Sequence, residues 1–124
     1  MFNPGSRQRS KPSWLAFGGG LLCAASIALS AYAAHGAADA HAQSLLQLAA
    51  LYAFGHGVAL AALSARTPRR VGAFALCLLL LGTLLFSGSL AANVLAGMST
   101  RLAPAGGITL MAGWLLWAFD ALRR

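Results

Sequence analysis

The chain has 124 residues, 59% apolar and only 9% charged, which excludes an ordinary soluble domain, where about a quarter of residues carry charge. Its net charge of +7 comes from cations that flank apolar runs. No basic face with interleaved aromatics accompanies them, so anionic lipid headgroups rather than nucleic acid are the expected counter-charges.

Residues 1–12, which include Asn3, Pro4, Gly5, Ser6 and Pro12, have the composition of a flexible basic tail on the cytoplasmic side. A first apolar run follows over about 14–34. Together with the basic start and Ala31-Tyr32-Ala33 before Ala34, it has the outline of a secretory signal. It exceeds the roughly 7 to 15 residues of a signal core, however, and is read as a membrane span. A short outer loop, His35 to Gln43, carries His35, Asp39 and His41. These three are polar groups suited to zinc or copper, but Gly36 interrupts them and no fourth ligand is evident, so no metal is expected.

The second run, about 44–65, places Tyr52 and His56 one turn apart near the bilayer midplane, with Gly55 and Gly57 beside the imidazole. An ionisable group inside a span is a functional candidate. The competing reading is a neutral structural histidine tied to a carbonyl or hydroxyl of a neighbouring helix. The inner connection Arg66-Thr67-Pro68-Arg69-Arg70 allows only an antiparallel turn.

The third run, about 71–92, ends in Leu85-Phe86-Ser87-Gly88-Ser89-Leu90, with Asn93 beyond it. On a helix Gly82, Phe86, Ser89 and Asn93 share a face. After a second outer connection, Asn93 to Leu102, the fourth run covers about 103–122 and opens with Pro104-Ala105-Gly106-Gly107. Proline near a helix start sacrifices no internal hydrogen bond, and the open start at Gly106 and Gly107 is a candidate site for an oxygen or anion. Near the end of this run, Asp120 stands three and four residues before Arg123 and Arg124, the spacing of an ion pair on a helix surface. Trp14, Trp114 and Trp117 are read as interface or packing residues.

Each run matches the roughly 20 residues that a helix needs to cross a bilayer. In lipid the backbone must satisfy its own hydrogen bonds, so the runs are helices. The fold class is therefore all-α, an integral membrane four-helix antiparallel bundle, with 13–124 as one transmembrane domain. Eight cations, Arg7, Arg9, Lys11, Arg66, Arg69, Arg70, Arg123 and Arg124, fall on one side and Arg101 on the other. The positive-inside rule then gives an N-in, C-in topology. Gly20, Ala24 and Ala28 at four-residue spacing, and Gly72, Gly82, Gly88, Gly106 and Gly113 on later helices, predict close helix pairs and a solid bundle. Cys23 and Cys77 are read as small buried hydrophobes.

The chain resembles the domain of unknown function 423 family, small bacterial membrane proteins related to the transmembrane protein 256-like group. Ala34-His35-Gly36, Tyr52-Ala-Phe-Gly-His56-Gly-Val-Ala-Leu, Leu85-Phe86-Ser87-Gly88-Ser89-Leu90 and Pro104-Ala105-Gly106-Gly107 leading to Gly113-Trp114 carry the resemblance, which covers about 14–122. Members usually have Gln where this chain has Ala53 and Thr where it has Ala103, so the polar cluster is thinner here. The resemblance implies a four-helix integral membrane protein and no particular activity.

No Walker loop, nucleophile elbow, metalloprotease helix or paired carboxylates occur, so neither an enzyme nor a cofactor is expected. The leading expectation is a polar pocket in the extracytoplasmic half, formed by His35, Tyr52, His56, Ser87, Ser89 and Asn93, that binds or passes a small solute or proton. The alternative is a structural or accessory subunit. Partners are then the lipid bilayer and either further copies of the chain or a larger membrane complex. The Ala, Leu, Gly and Arg-rich composition points to a bacterial cytoplasmic membrane ahead of a mitochondrial one.

Overall fold

The computed structural model describes residues 12–67 and 69–123; the tail, Pro68 and Arg124 lie outside them. Among the described residues there are four α-helices, α1 (Trp14–His35), α2 (Ala40–Leu63), α3 (Arg70–Ala96) and α4 (Leu102–Leu122), with a 3-10 turn (Ser64–Arg66) after α2. All four are long and apolar enough to cross a membrane.

Local chemistry sets the helix ends. Ser13 caps α1 by accepting from the Ala16 N–H at 3.1 Å. Asp39 caps α2 by accepting from the Ala42 N–H at 2.8 Å, satisfying donors that a helix start leaves open. That cap starts α2 at Ala40, four residues ahead of the run expected from hydropathy, and carries His41 into the first turn. At the far end of α3, Gly97 adopts φ 67°, a conformation that costs glycine little. The helix therefore continues through Asn93, whose Nδ2 donates to the Met98 carbonyl at 2.8 Å. Pro104 falls in the first turn of α4, where its missing N–H has no carbonyl to seek.

Packing follows a seven-residue rhythm. On α4 the buried positions are Ala103, Gly106, Leu110, Gly113 and Asp120, alternating three and four apart with half-buried Trp117 between the last two. On α1 they are Gly19, Ser26 and Ala33. This is the spacing of helices that cross at a shallow angle. Small residues let the backbones touch: a Cβ on Gly19 would lie 2.5 Å from the Gly57 carbonyl oxygen, and one on Gly106 would lie 2.5 Å from the Phe86 nitrogen. The expected stripe Gly20, Ala24 and Ala28 lies instead on the exposed face. It is one residue, about 100° of rotation, away from the contact.

The result is two tight hairpins, α1 with α2 and α3 with α4, joined mainly through α2 and α3. A leucine cluster of Leu60, Leu76, Leu79 and Leu110 fills the half near the 3-10 turn. A smaller one of Ala49, Leu90 and Ala103 fills the other. The bundle is thus less solid than the small residues suggested. No comparable interface joins α1 to α4 or α2 to α4, and the α2–α4 seam opens into a groove.

Two further expectations change. Asp120 is only 1% exposed and packs against Gly72 in the first turn of α3, where a Cβ would lie 2.8 Å from Oδ2. It lies beside the first turn of α3, the positive end of that helix dipole, so the surface position expected for it is not found; Arg124, one of its two expected ion-pair partners, lies outside the described residues. Cys23 is half-buried while Cys77 is exposed, and both are free thiols. The reading of Cys77 as a buried hydrophobe fails because its side of α3 lies outside the seven-residue contact face.

Candidate functional site

The groove lies between α2 and α4, with Phe86 of α3 as its floor. Its deep part has a volume of about 630 Å³ and is lined by Tyr52, His56, Phe86, Pro104, Gly107, Ile108, Leu110, Met111, Trp114 and Leu115. An outer part of about 550 Å³ is lined by His41, Leu45, Phe86, Leu90, Asn93, Thr100, Ala103, Pro104 and Gly107. Phe86, Pro104 and Gly107 belong to both, so the two parts form one channel along the seam.

Helical spacing produces this lining. His41, Leu45, Tyr52 and His56 stand four, seven and four residues apart, one stripe of α2. Pro104, Gly107, Ile108, Met111, Trp114 and Leu115 form the facing stripe of α4. Gly107 keeps the channel open: a Cβ there would meet nothing within 4 Å. Lining of this kind, apolar and aromatic with a few polar groups, is the usual composition of a small-molecule site.

His56 is held at both ring nitrogens. Trp114 Nε1–H donates to His56 Nε2 at 3.0 Å, and His56 Nδ1 lies 2.8 Å from the Tyr52 carbonyl oxygen. An indole N–H only donates, so Nε2 is the acceptor and Nδ1 carries the proton. The ring is therefore neutral in this arrangement. The structural-histidine reading expects a carbonyl or hydroxyl of a neighbouring helix; the carbonyl found belongs to α2 itself, and the neighbouring helix supplies an indole N–H instead. Tyr52 stacks on it at 5.9 Å and 12° and meets Phe86 at 4.6 Å. A connected aromatic wall runs from Phe86 through Tyr52 and His56 to Trp114, whose ring centroid lies 5.9 Å from that of His56.

The residues expected to form a polar pocket separate into two groups. Tyr52, His56, Asn93 and Gly107 line the channel. His35 is exposed at the end of α1, away from it. Ser87 is buried and donates to the Ala49 carbonyl at 2.8 Å, tying α3 to α2. Ser89 is buried, with its hydroxyl 3.5 Å from the Ser99 carbonyl, and Gly106 is closed off by Phe86. Hydroxyls that bond to backbone carbonyls act as attachments between or within helices. Thr109 does the same toward Ala105.

The polar-pocket reading missed the apolar and aromatic lining, Phe86, Met111 and Trp114 among it, and the polar His41 and Thr100 of the outer part. Apolar side chains give no distinctive signal in a chain this hydrophobic, and Trp114 reads equally well as an interfacial residue. Among the described residues, no three His, Cys, Asp or Glu side chains converge on a possible metal position; Asp39 is engaged in capping α2.

A family model described as a protein of unknown function (DUF423) matches residues 29–107. That segment includes the lining from His41 to Gly107, while Ile108, Leu110, Met111, Trp114 and Leu115 of the deep part lie beyond it. No curated protein and no solved structure matches the chain.

Proposed function

The chain belongs to the DUF423 family, and we propose that it is a multi-pass membrane protein that binds a small solute in the groove between α2 and α4. The supporting observation is the groove itself, whose deep part has a volume of about 630 Å³, within the roughly 300 to 1,000 Å³ typical of ligand sites. Its aromatic wall is preorganised by the two hydrogen bonds of His56. Binding is favoured over proton passage because that imidazole already has both nitrogens engaged and Ser87 and Ser89 bond to backbone. It is favoured over catalysis because no carboxylate or activated nucleophile stands among the lining residues.

We place the protein N-in and C-in in a bacterial cytoplasmic membrane, with Arg66, Arg69, Arg70 and Arg123 at the inner end and Arg101 at the outer. The outer part of the groove then opens toward the extracytoplasmic leaflet.

Native mass spectrometry of the protein released with its surrounding lipid tests the reading. The wild-type chain should carry a discrete small-molecule adduct that Gly107→Phe removes, because a Cβ there meets nothing within 4 Å and the added ring takes up channel volume. Equal adducts on both proteins would overturn the assignment.

A second reading, an accessory subunit, is favoured by the opposite side of the molecule. A depression between α1 and α2 there is lined by Ser26, Ser30 and Gln47 among apolar residues. Ser30 and Gln47 are exposed there, and polar side chains facing lipid gain from a partner helix. On that reading Gln47→Leu should release co-purifying membrane proteins on a native gel, and Gly107→Phe should not.

A further inference from the structure

The channel changes character along its length. Around Met111, Trp114 and Leu115 it is apolar, while its outer part brings His41, Asn93 and Thr100 together beside Leu45 and Leu90. The His41 ring and the Thr100 hydroxyl have no hydrogen-bond partner among the described residues, and Asn93 uses only its amide nitrogen, toward Met98. The His41 ring, the Thr100 hydroxyl and the second Nδ2 hydrogen of Asn93 can donate to oxygen atoms of a ligand, and Asn93 Oδ1 can accept, which makes the outer part suited to a polar head. The aromatic and aliphatic walls of the deep part offer nothing for a second polar end to bond beyond the Tyr52 hydroxyl. A chain that occupies them would gain by contact with the rings.

From Pro104 to Leu115 the α4 wall extends over eleven residue steps, about 16 Å of helix. The deep part therefore reaches about half of the roughly 30 Å hydrocarbon core. A molecule with its head at the membrane surface and its tail pointing to the midplane has the polarity profile of this groove, at the depth where a leaflet lipid lies.

Building on the proposed solute-binding role, we propose that the ligand is a single-chain amphiphile taken from the leaflet into which the α3–α4 loop emerges. Its oxygen-bearing head rests against His41, Asn93 and Thr100, and its chain runs past Gly107 to Trp114. The seam between α2 and α4 is its entry route, sideways from the bilayer.

Trp114 reports the position of the chain. The probe is a lysophosphatidylcholine with two bromines at mid-chain, added to the protein in nanodiscs of unbrominated lipid. Trp14→Phe and Trp117→Phe leave Trp114 as the sole tryptophan, excited selectively beyond the absorption of Tyr32 and Tyr52. Quenching of Trp114 should saturate near one lysolipid per protein. Gly107→Phe should turn saturation into a weak linear response, whereas Gly55→Phe, another open glycine outside the groove, should leave it intact. Replacing both head contacts, His41→Ala with Thr100→Val, should weaken the lysolipid response about tenfold and leave that of a headless dibromoalkane unchanged.

If the dibromoalkane saturates as well as the lysolipid and the head variants have no effect, the amphiphile assignment is overturned while the solute-binding groove stands. If neither probe saturates and Gly107→Phe changes nothing, both fall. Lysolipid adducts on the unmutated chain in native mass spectrometry give a second readout, independent of the tryptophan replacements.

Discussion

Helix α4 has two edges of opposite character, and Gly106 and Gly107 mark the boundary between them. On one edge, Ala103, Gly106, Leu110 and Gly113 are buried, and a Cβ on Gly106 would lie 2.8 Å from the Gly82 carbonyl oxygen. On the other, Gly107 has nothing within 4 Å, and its neighbours face α2 across a channel. Adjacent glycines thus do different work: one permits backbone contact, the other preserves a space. In lipid, where apolar side chains gain little by leaving the bilayer, contact of the first kind holds helices together. A seam that lacks it stays available to a ligand.

The same contrast recurs on α1 and provides the largest expected effect. Gly19→Leu should separate α1 from α2, since its Cβ would lie 2.5 Å from one backbone oxygen and 2.9 Å from the Ala61 nitrogen. The cost should be about 3 kcal/mol or more, at the upper end of overpacking penalties. Gly20→Leu, one residue away with nothing within 4 Å, should change stability by less than about 0.5 kcal/mol. Unfolding titrations in mixed micelles check both, and equal losses would break the comparison.

Next in size is Asp120→Ala. It removes a buried carboxylate beside the first turn of α3 and should cost about 2 kcal/mol, the upper figure for a charge at a helix terminus. Thermal unfolding of the detergent-solubilised protein measures it. A neutral outcome would mean that the α3 dipole needs no such partner. Smallest is Ser87→Ala, which deletes the bond to Ala49 and should cost about 0.6 kcal/mol, the average for a membrane interhelical hydrogen bond. Because Ser87 ties α3 to α2 outside the groove, adduct retention in native mass spectrometry should be unchanged. Loss of the adduct would place Ser87 in the binding site.

Hydropathy alone makes the four helices legible, because the backbone in lipid has few other options. The ends of α2 and α3 shift by four residues each for reasons that are local and readable: the Asp39 cap and the left-handed Gly97. Helix rotation is harder. A four-residue spacing of small residues singled out Gly20, Ala24 and Ala28, whereas the seven-residue spacing through Gly19, Ser26 and Ala33 marks the buried face. Both patterns are present in a chain rich in Gly and Ala, and only contact with α2 separates them.

The site was legible in part. Tyr52 and His56 announce themselves as polar groups one turn apart at mid-membrane. The contact of His56 with Trp114, 58 residues away, depends on how α4 is rotated. The hydroxyls of Ser87 and Ser89 attract attention in an apolar chain, yet a hydroxyl that meets a nearby carbonyl is already satisfied.

The most direct test of the two-edged α4 is the pair Gly106→Leu and Gly107→Leu, each measured for unfolding free energy and for retained small-molecule mass. Gly106→Leu should lose about 3 kcal/mol, and Gly107→Leu less than about 0.5 kcal/mol while losing the bound molecule. Equal destabilisation by the two, or an adduct that survives Gly107→Leu in a folded protein, would contradict the account.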